Sequence, residues 1–377
     1  MSTTCDIAVI GAGIVGSACA AECAAGGLKV LVIDRGPVGG GTTGSSMGHI
    51  VVMDDSEPQF ALTSYSRTLW AELAGRLPEQ ADYKVSGTLW IAADDEEMQE
   101  VHRKQKFYSE RGIKVEVLDA AGIANCEPNL RKNLAGGLRV PDDAVVYPPA
   151  TANFLLEQAK TKGAKVRTGI KVESISTQGD IVLADASRIS AGIIINAAGC
   201  WSPDITPGLP VFRRKGHLVI TDRYPGFLTH QTIELGYLKS AHSVTTDSIA
   251  FNIHPRKNGQ MLIGSSRQAD AGDTTIDPNL LQRMLRRAAE YVPTINRLSA
   301  IRAWTGHRPA TSDKLPLIGP SLEDRKIWLA TGHEGLGITT SLATGRLLAD
   351  LILKRPTAIP AAPYFPARLA KGDSHHG

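Results

Sequence analysis

The chain has 377 residues, 42% of them hydrophobic and 21% charged, with 37 glycines and a formal net charge of +3. That balance is ordinary for a soluble α/β protein and long enough for two domains. The small net charge, with no Lys/Arg-rich block and no basic stretch interleaved with aromatics, gives no electrostatic case for nucleic-acid binding.

The first element is the short, wholly apolar run Ile7–Ile10, of the kind buried in a parallel sheet. Gly11-Ala-Gly13-Ile14-Val15-Gly16 follows it and opens a helix expected over Ile14–Ala25. Gly11 permits the tight turn, Gly13 lets a pyrophosphate approach the backbone, and Gly16 lets helix and strand lie close. The start of the helix offers free N–H groups and a positive dipole end to phosphate. Lys29–Ile33 reads as the next strand. Asp34 closes it about twenty residues past the glycines, where a carboxylate accepts from ribose hydroxyls and repels a 2′-phosphate. Arg35 follows it. The pattern is the phosphate- and ribose-binding half of a dinucleotide site.

The run from Gly36 to His49 is rich in Gly, Thr and Ser and suits neither helix nor regular strand. A helix is expected over Gln59–Arg76, a strand over Val85–Ala93, a charged helix over Glu96–Arg111, and a strand over Val115–Leu118 with Asp119 as N-cap. A helix over Ala150–Lys162 follows the punctuation of Tyr147-Pro-Pro149. Val166–Ser176 is β-type, and Ile193–Gly199 reads as a buried strand ending in small residues. Strands are expected over Val211–Ile220, Ser243–Ile253, Met261–Gly264 and Ile327–Thr331, with helices over Asn279–Tyr291 and Ile338–Leu353. The nucleotide domain is therefore expected in pieces at about 1–50, 145–205 and 300–356. The insertions 51–144 and 206–299 would form a second, β-rich domain, and 357–377 a tail in which His375-His376 carries no signal.

Cys5, Cys19, Cys23, Cys126 and Cys200 form no C-x-x-C pair, so no metal site or Fe–S cluster is expected within the chain. They read as small residues in a reducing compartment, Cys19 and Cys23 being one helical turn apart. No basic segment followed by an apolar run marks a signal peptide, and the most apolar stretch, residues 7–28, belongs to the strand–helix–strand unit. A cytoplasmic protein without a membrane span is expected.

The glycine motif alone leaves NAD and FAD both open. FAD is favoured by the Gly/Thr/Ser run directly after the ribose-binding strand, by Asn196-Ala-Ala198-Gly199 at a strand end, and by the turn at 332–337. That turn opens a helix whose N–H groups would stabilise charge on a reduced flavin. The chain resembles the FAD-dependent D-amino-acid oxidase superfamily over nearly its whole length. The resemblance rests on AVIGAGIVG at 8–16, GGGTTGSSMGHIV at 39–51, EPNL at 127–130, INAAG at 195–199, GHRPATSDKLPLIG at 306–319 and TGHEGLGITTSLATGRLLAD at 331–350. The nearest branch holds glycine and sarcosine oxidases, D-amino-acid dehydrogenases and the flavin subunits of opine and hydroxyproline dehydrogenases. The stretch 41–63 looks most like bacterial D-hydroxyproline dehydrogenase β subunits. Many members carry Glu where this chain has Asp34, with the same acceptor chemistry and longer reach.

The resemblance implies a Rossmann-like FAD-binding domain, discontinuous in sequence, with a β-rich α+β substrate domain. It implies oxidation of a D-amino or cyclic imino acid, best cis-4-hydroxy-D-proline or D-proline, by hydride transfer from the α-carbon to flavin N5, giving an imine. The alternatives are the flavin subunit of an opine- or glycine-type dehydrogenase, with partner subunits carrying Fe–S or other electron carriers and docking at a membrane through them, and a peroxide-releasing oxidase. An NAD dehydrogenase and a non-catalytic nucleotide-binding scaffold stay open on the residues alone. Arg308 matches the arginine that grips the substrate carboxylate, a planar fork that lysine cannot reproduce; the bland reading is an ion pair with Asp313. Gly41, Thr42, Thr43, Ser46, Met47 and Gly48 would follow the cofactor, with Met47 and Gly48 against the ring. Val172 matches a residue that holds adenine through its main chain, and Ala198 and Gly199 would pass under the nucleotide. Gly332, Gly335, Leu336, Gly337 and Ile338 match the flavin-binding helix start. His49 would bind the substrate amine or tune the flavin, or simply hydrogen-bond to backbone. His333 and Glu334 would touch flavin or substrate, or cap the helix. Tyr237, Lys239, His254 and Trp304 fall where a roof over the site is expected.

Overall fold

The structure, a computed structural model, describes residues 3–176, 180–236, 247–269 and 272–371. Thr3–Ile10 is central in the first sheet. Val30–Ile33 runs parallel on one side, with Ile7 opposite Val30, and Arg188–Asn196 on the other, with Ile7 opposite Ile193. Ile327–Thr331 joins parallel at the Asn196 end and pairs in turn with Leu317–Pro320. Ile7–Ile10 and Val30–Ile33 are buried throughout. Both faces of these strands are covered, so their sequences are continuously apolar rather than alternating.

Helices Ile14–Ala25, Pro148–Thr161 and Gly337–Ile352 pack on one face of this sheet. The first of them is built from Ala, Cys, Ser and Gly because it is clamped between the sheet and the last helix. A Cβ on Gly16 would stand 1.9 Å from the Gly11 carbonyl oxygen, and one on Gly345 would stand 2.7 Å from the backbone of Ala18. Cys19 and Cys23 are fully buried there, and burial pushes the Cys23 thiol up to about 12.

The second sheet runs in the order Ala300–Ala310, Phe212–Thr221, Met261–Arg267, Ser248–Pro255, Gln231–Glu234, Thr88–Ala92, Gly136–Val140, Glu116–Asp119. Its neighbours are antiparallel except Gln231–Glu234 beside Thr88–Ala92. Helix Pro278–Tyr291 packs on its outer face through Met284, Ala288 and Tyr291. Helix Asp95–Ser109 covers the Thr88–Ala92 end through Val101 and Tyr108. A small sheet, His49–Ile50 with Ala144–Val145 and Lys84–Val85, bridges the two lobes.

The elements follow the sequence reading with physically intelligible shifts. Ile14–Ala25 and Ile327–Thr331 match it residue for residue. The helix expected from Gln59 starts at Glu57, because the Ser56 side chain accepts from Gln59 N and Pro58 sits in the first turn. The helix expected from Ala150 starts at Pro148 for the same proline reason. Val85–Ala93 is broken at Gly87 (φ +68°) into Lys84–Val85 and Thr88–Ala92. Val166–Ser176 is also two strands, Lys165–Arg167 on one edge of the first sheet and Val172–Ile175 on the opposite edge. The link turns at Gly169 (φ +75°) and crosses the end of the sheet past Asp34, whose carbonyl accepts from Ile170 N. In the region expected as Ser243–Ile253 a strand spans Ser248–Pro255; residues 243–246, like Tyr237, Lys239 and His375-His376, lie outside the described residues. Among the described residues no helix is long and apolar enough to cross a membrane.

Gly345→Ala should lower stability by about 1–3 kcal/mol, because the added methyl meets fixed backbone rather than a movable side chain. Urea unfolding monitored by circular dichroism measures it; a midpoint equal to that of the parent chain would refute the close contact.

Candidate active site

The strongest local signal is a pair of helix starts left uncapped. The surface helices beginning at Glu57, Asp95, Ala120 and Pro278 each have a side-chain cap, from Ser56, Asp94, Asp119 and Asp277. Helices Ile14–Ala25 and Gly337–Ile352 have neither a side-chain cap nor an acid in the first turn. Their N-termini, Gly13–Val15 and Gly335–Ile338, line one cavity of about 450 Å³ between the two sheets. N–H groups left over at a helix start need a partner, and two such starts facing one cavity are suited to an anionic or electron-rich ligand.

At one end of the cavity stand Asp34, Arg35, Val172 and Trp201. Asp34 is braced by backbone: Ala12 N donates to Oδ2 at 2.6 Å and Gly36 N to Oδ1 at 2.7 Å. Each carboxylate oxygen keeps a lone pair for a ribose hydroxyl. The Arg35 guanidinium stacks on Trp201 at 4.0 Å. Ala198 and Gly199 (φ +56°) form the floor beside them.

The Gly/Thr/Ser run then carries the wall along the cavity. Ile14 N donates to Thr43 Oγ1 at 3.0 Å, Thr42 Oγ1 donates to the His307 carbonyl at 2.8 Å, and Ser46 Oγ donates to the Thr43 carbonyl. The run is laid across the second sheet, and the strands make room for it with glycine. A Cβ on Gly306 would stand 2.4 Å from Ser45 Cβ, and one on Gly264 would stand 3.2 Å from Met47 Sδ. Trp304 Nε1 donates to the Ser45 carbonyl, so that tryptophan anchors the run.

At the other end the second sheet forms a roof. Arg308, Gly216 and Leu218, Ser265, Asn252, Ile233 and Trp90 face the cavity from six successive strands. The Arg308 guanidinium lies over Gly216, where a Cβ would meet Nη1 at 2.5 Å, and Nη1 donates to the Ser266 carbonyl at 2.9 Å. Asp313 pairs with Arg368 at 2.5 Å. Glu334, in left-handed backbone (φ +47°), pairs with Arg214 at 3.1 Å, both side chains about 10% exposed, and has Arg267 at 3.7 Å. Trp90 is backed by the fully buried Lys104, whose ammonium sits 4.9 Å from its ring and pairs with Asp54. Burial alone would raise the Asp54 carboxyl, but Lys104 and Arg103 hold it below the usual carboxylate range.

His49 lines the cavity beside Arg308. Burial drives its imidazole down to about 4, a hydrogen bond with the Gly335 backbone opposing and Arg308 reinforcing the shift. Its ring meets that of His254 edge to face at 5.5 Å. His333 is buried, with Nε2 3.0 Å from Thr344 Oγ1; since that hydroxyl donates to the Thr340 carbonyl, Nε2 carries the proton. Burial drives His333 down to about 3, and its side chain makes no cap.

The cavity thus gathers Gly11, Gly13, Ile14, Val15, Asp34 and Arg35, the run Gly41–Thr43 with Ser46 and Met47, and His49, Val172, Ala198 and Gly199. It also gathers Arg308, His333 and the start Gly335–Ile338. Gly16, Gly48 and Gly332 stand behind it: a Cβ on each would meet the Gly11 carbonyl, the Val146 carbonyl or Thr311 Cγ2, so their place is in packing. Missed by the sequence reading were Trp90, Ile233, Asn252 and Ser265, and the Arg214–Glu334 pair. The available signal was the glycines inside β-patterned runs, Gly216, Gly264 and Gly306, which mark close approach to a strand.

The family profile described as FAD dependent oxidoreductase matches residues 6–351. The chain is 28% identical over 373 residues to a glycine oxidase of Geobacillus kaustophilus, covering 95% of this chain and 96% of that one. It is 27% identical over 325 residues to a D-amino acid dehydrogenase of Xanthobacter autotrophicus, covering 82% and 74%. The crystal structure of glycine oxidase from Geobacillus kaustophilus superposes with a TM-score of 0.88 at 26% identity, covering 97% and 99%.

His49 is expected to stay neutral from pH 5 to 9. The unfolded chain takes up that proton near 6.5 and the folded chain near 4, so protonation costs stability as pH falls from 6.5 towards 4. NMR titration of the His49 ring measures it, and a midpoint at 6 or above would refute the buried, Arg308-facing placement.

Proposed function

Because the chain belongs to the FAD dependent oxidoreductase family, we propose that it oxidises the carbon–nitrogen bond next to the carboxylate of a small D-amino or cyclic imino acid, with cis-4-hydroxy-D-proline or D-proline as the preferred substrate. FAD, when bound, supplies the two-electron acceptor for the α-carbon hydride. The residues present fit that group: two uncapped helix starts, the braced Asp34 and glycines where a Cβ would meet backbone line one cavity.

Arg308 carries the reading. Its guanidinium is held against the roof by Gly216 and the Ser266 carbonyl, facing the cavity next to the Gly335–Ile338 helix start. A planar fork held there binds a carboxylate in one orientation and so fixes where the α-carbon lies. His49, neutral beside it, adds no competing positive charge. Leu218, Ile233 and Trp90 keep water from the reacting carbon and strengthen the electrostatics beneath. The substrate, bound as the neutral amine, would lose its α-carbon hydride to the acceptor that FAD supplies and its N–H proton to solvent, and leave as the imine.

The purified protein should be yellow, and its flavin absorbance should bleach without oxygen when D-proline or cis-4-hydroxy-D-proline is added. Bleaching by L-amino acids alone would overturn the D-assignment, and peroxide release in air would make the protein an oxidase. Arg308→Ala should weaken kcat/KM by about 2–5 kcal/mol, chiefly through KM, with Arg308→Lys recovering little. An unchanged KM would remove Arg308 from the site.

A further inference from the structure

Behind Arg308 the strand Met261–Arg267 departs from regular pairing. It meets Phe212–Thr221 at Ile263 opposite Val219, and the two chains meet again at Gln268 opposite Lys215. A step of four residues on one chain thus faces a step of five on the other, which is a bulge. The ladder on the far side of Met261–Arg267 shifts register at the same place, between Ile249 and Asn252. Inside the bulge a side chain replaces the usual carbonyl acceptor: His217 N donates to Ser266 Oγ at 2.9 Å. The Ser266 carbonyl accepts from Arg308 Nη1 at 2.9 Å. Arg308 reaches it across Phe212–Thr221, over Gly216, where no side chain stands in the way.

Ser266 is in turn set by one imidazole. Gly216 and Leu218 face the cavity, so Lys215 and His217 face away from it. His217 is fully buried. Asp277 N donates to its Nε2 at 2.9 Å, so the neutral ring carries its proton on Nδ1, 2.9 Å from Ser266 Oγ. Burial, reinforced by Lys215 and Arg308 and opposed by Asp277 and Asp247, holds the ring below the usual imidazole range and so in that neutral form. Both lone pairs of Ser266 Oγ are then taken by one residue.

The segment Asp273–Asp277 locks the ring from outside. Lys215 Nζ donates to Asp273 Oδ1 at 2.8 Å and to the Thr275 carbonyl at 3.1 Å, and Thr305 Oγ1 donates to the Thr274 carbonyl at 2.5 Å. Gln268 Nε2 donates to Asp277 Oδ2 at 3.2 Å. A guanidinium recognises a carboxylate edge-on, so its grip depends on the plane in which it is held. Here that plane is set by a carbonyl whose own residue is fixed by His217.

We infer that His217 is a positioning residue for Arg308: its imidazole fixes Ser266, and the Ser266 carbonyl fixes the plane in which Arg308 meets a substrate carboxylate. The inference rests on the carboxylate-binding role proposed for Arg308 above.

The test is calorimetry on the flavin-loaded protein with cyclopentanecarboxylate, which has a carboxylate but no amine to oxidise. His217→Gln places an amide where Nε2 stood and loses the Ser266 contact, whereas His217→Asn places a donor where Nδ1 stood and keeps it. The glutamine variant should weaken Kd by about tenfold and the asparagine variant should recover it to within about threefold of the parent. Ser266→Ala, which deletes the hydroxyl and leaves the carbonyl, should weaken Kd as glutamine does, and it decides the matter if the glutamine variant does not fold. In an Arg308→Ala background the change at His217 should have little further effect. A parent-like Kd in Ser266→Ala, equal weakening by Asn and Gln, or an undiminished Gln effect without Arg308 would each overturn the inference alone. If cyclopentanecarboxylate binds equally well with and without Arg308, the carboxylate role of Arg308 falls and the inference with it. Flavin bleaching by an amine is read separately and bears only on the oxidation chemistry.

Discussion

The architecture depends on two helix starts being aimed at one space and left without caps. Helices Ile14–Ala25 and Gly337–Ile352 are held in that arrangement by a backbone-to-backbone approach at Gly345 and Ala18. With those helices against each other, their positive ends stand at successive points along one cavity. Four other helices satisfy their starts with Ser or Asp, and Pro148–Thr161 opens on two prolines that carry no N–H. Apart from Ile14 N, which donates to Thr43 Oγ1, these two leave the task to a ligand, and a dinucleotide whose phosphates and ring both seek N–H donors meets it.

A second constraint follows. The Gly/Thr/Ser run lies against the roof, so the roof strands are thinned with glycine where it crosses. Gly306 admits Ser45, Gly264 admits Met47, and Gly216 admits the Arg308 side chain. The side chains that line the roof therefore lie on one mostly antiparallel sheet, and their spacing is set by strand geometry.

Much of this was legible in the sequence because it is local. The strand–glycine–helix–acid unit spans residues 7–34, and its helix bounds could be read to the residue. The start at 335–338 and Arg308 are also continuous motifs. What could not be read is what depends on pairing between distant strands. Asn252, Ile233 and Trp90 fall in one cross-strand row only once Ile233 is set opposite both. The Arg214–Glu334 pair joins residues 120 apart. The split of Val166–Ser176 between opposite sheet edges was hidden because both halves are equally β-like and only Gly169 separates them.

The Arg214–Glu334 pair also bears on how the two lobes are joined. Both of its groups are largely shielded from water. Removing either partner alone would leave the other charge poorly solvated, at a cost of about 3–5 kcal/mol. The pair thus fastens the roof to the turn that starts the last helix, at the seam where the two lobes meet over the cavity.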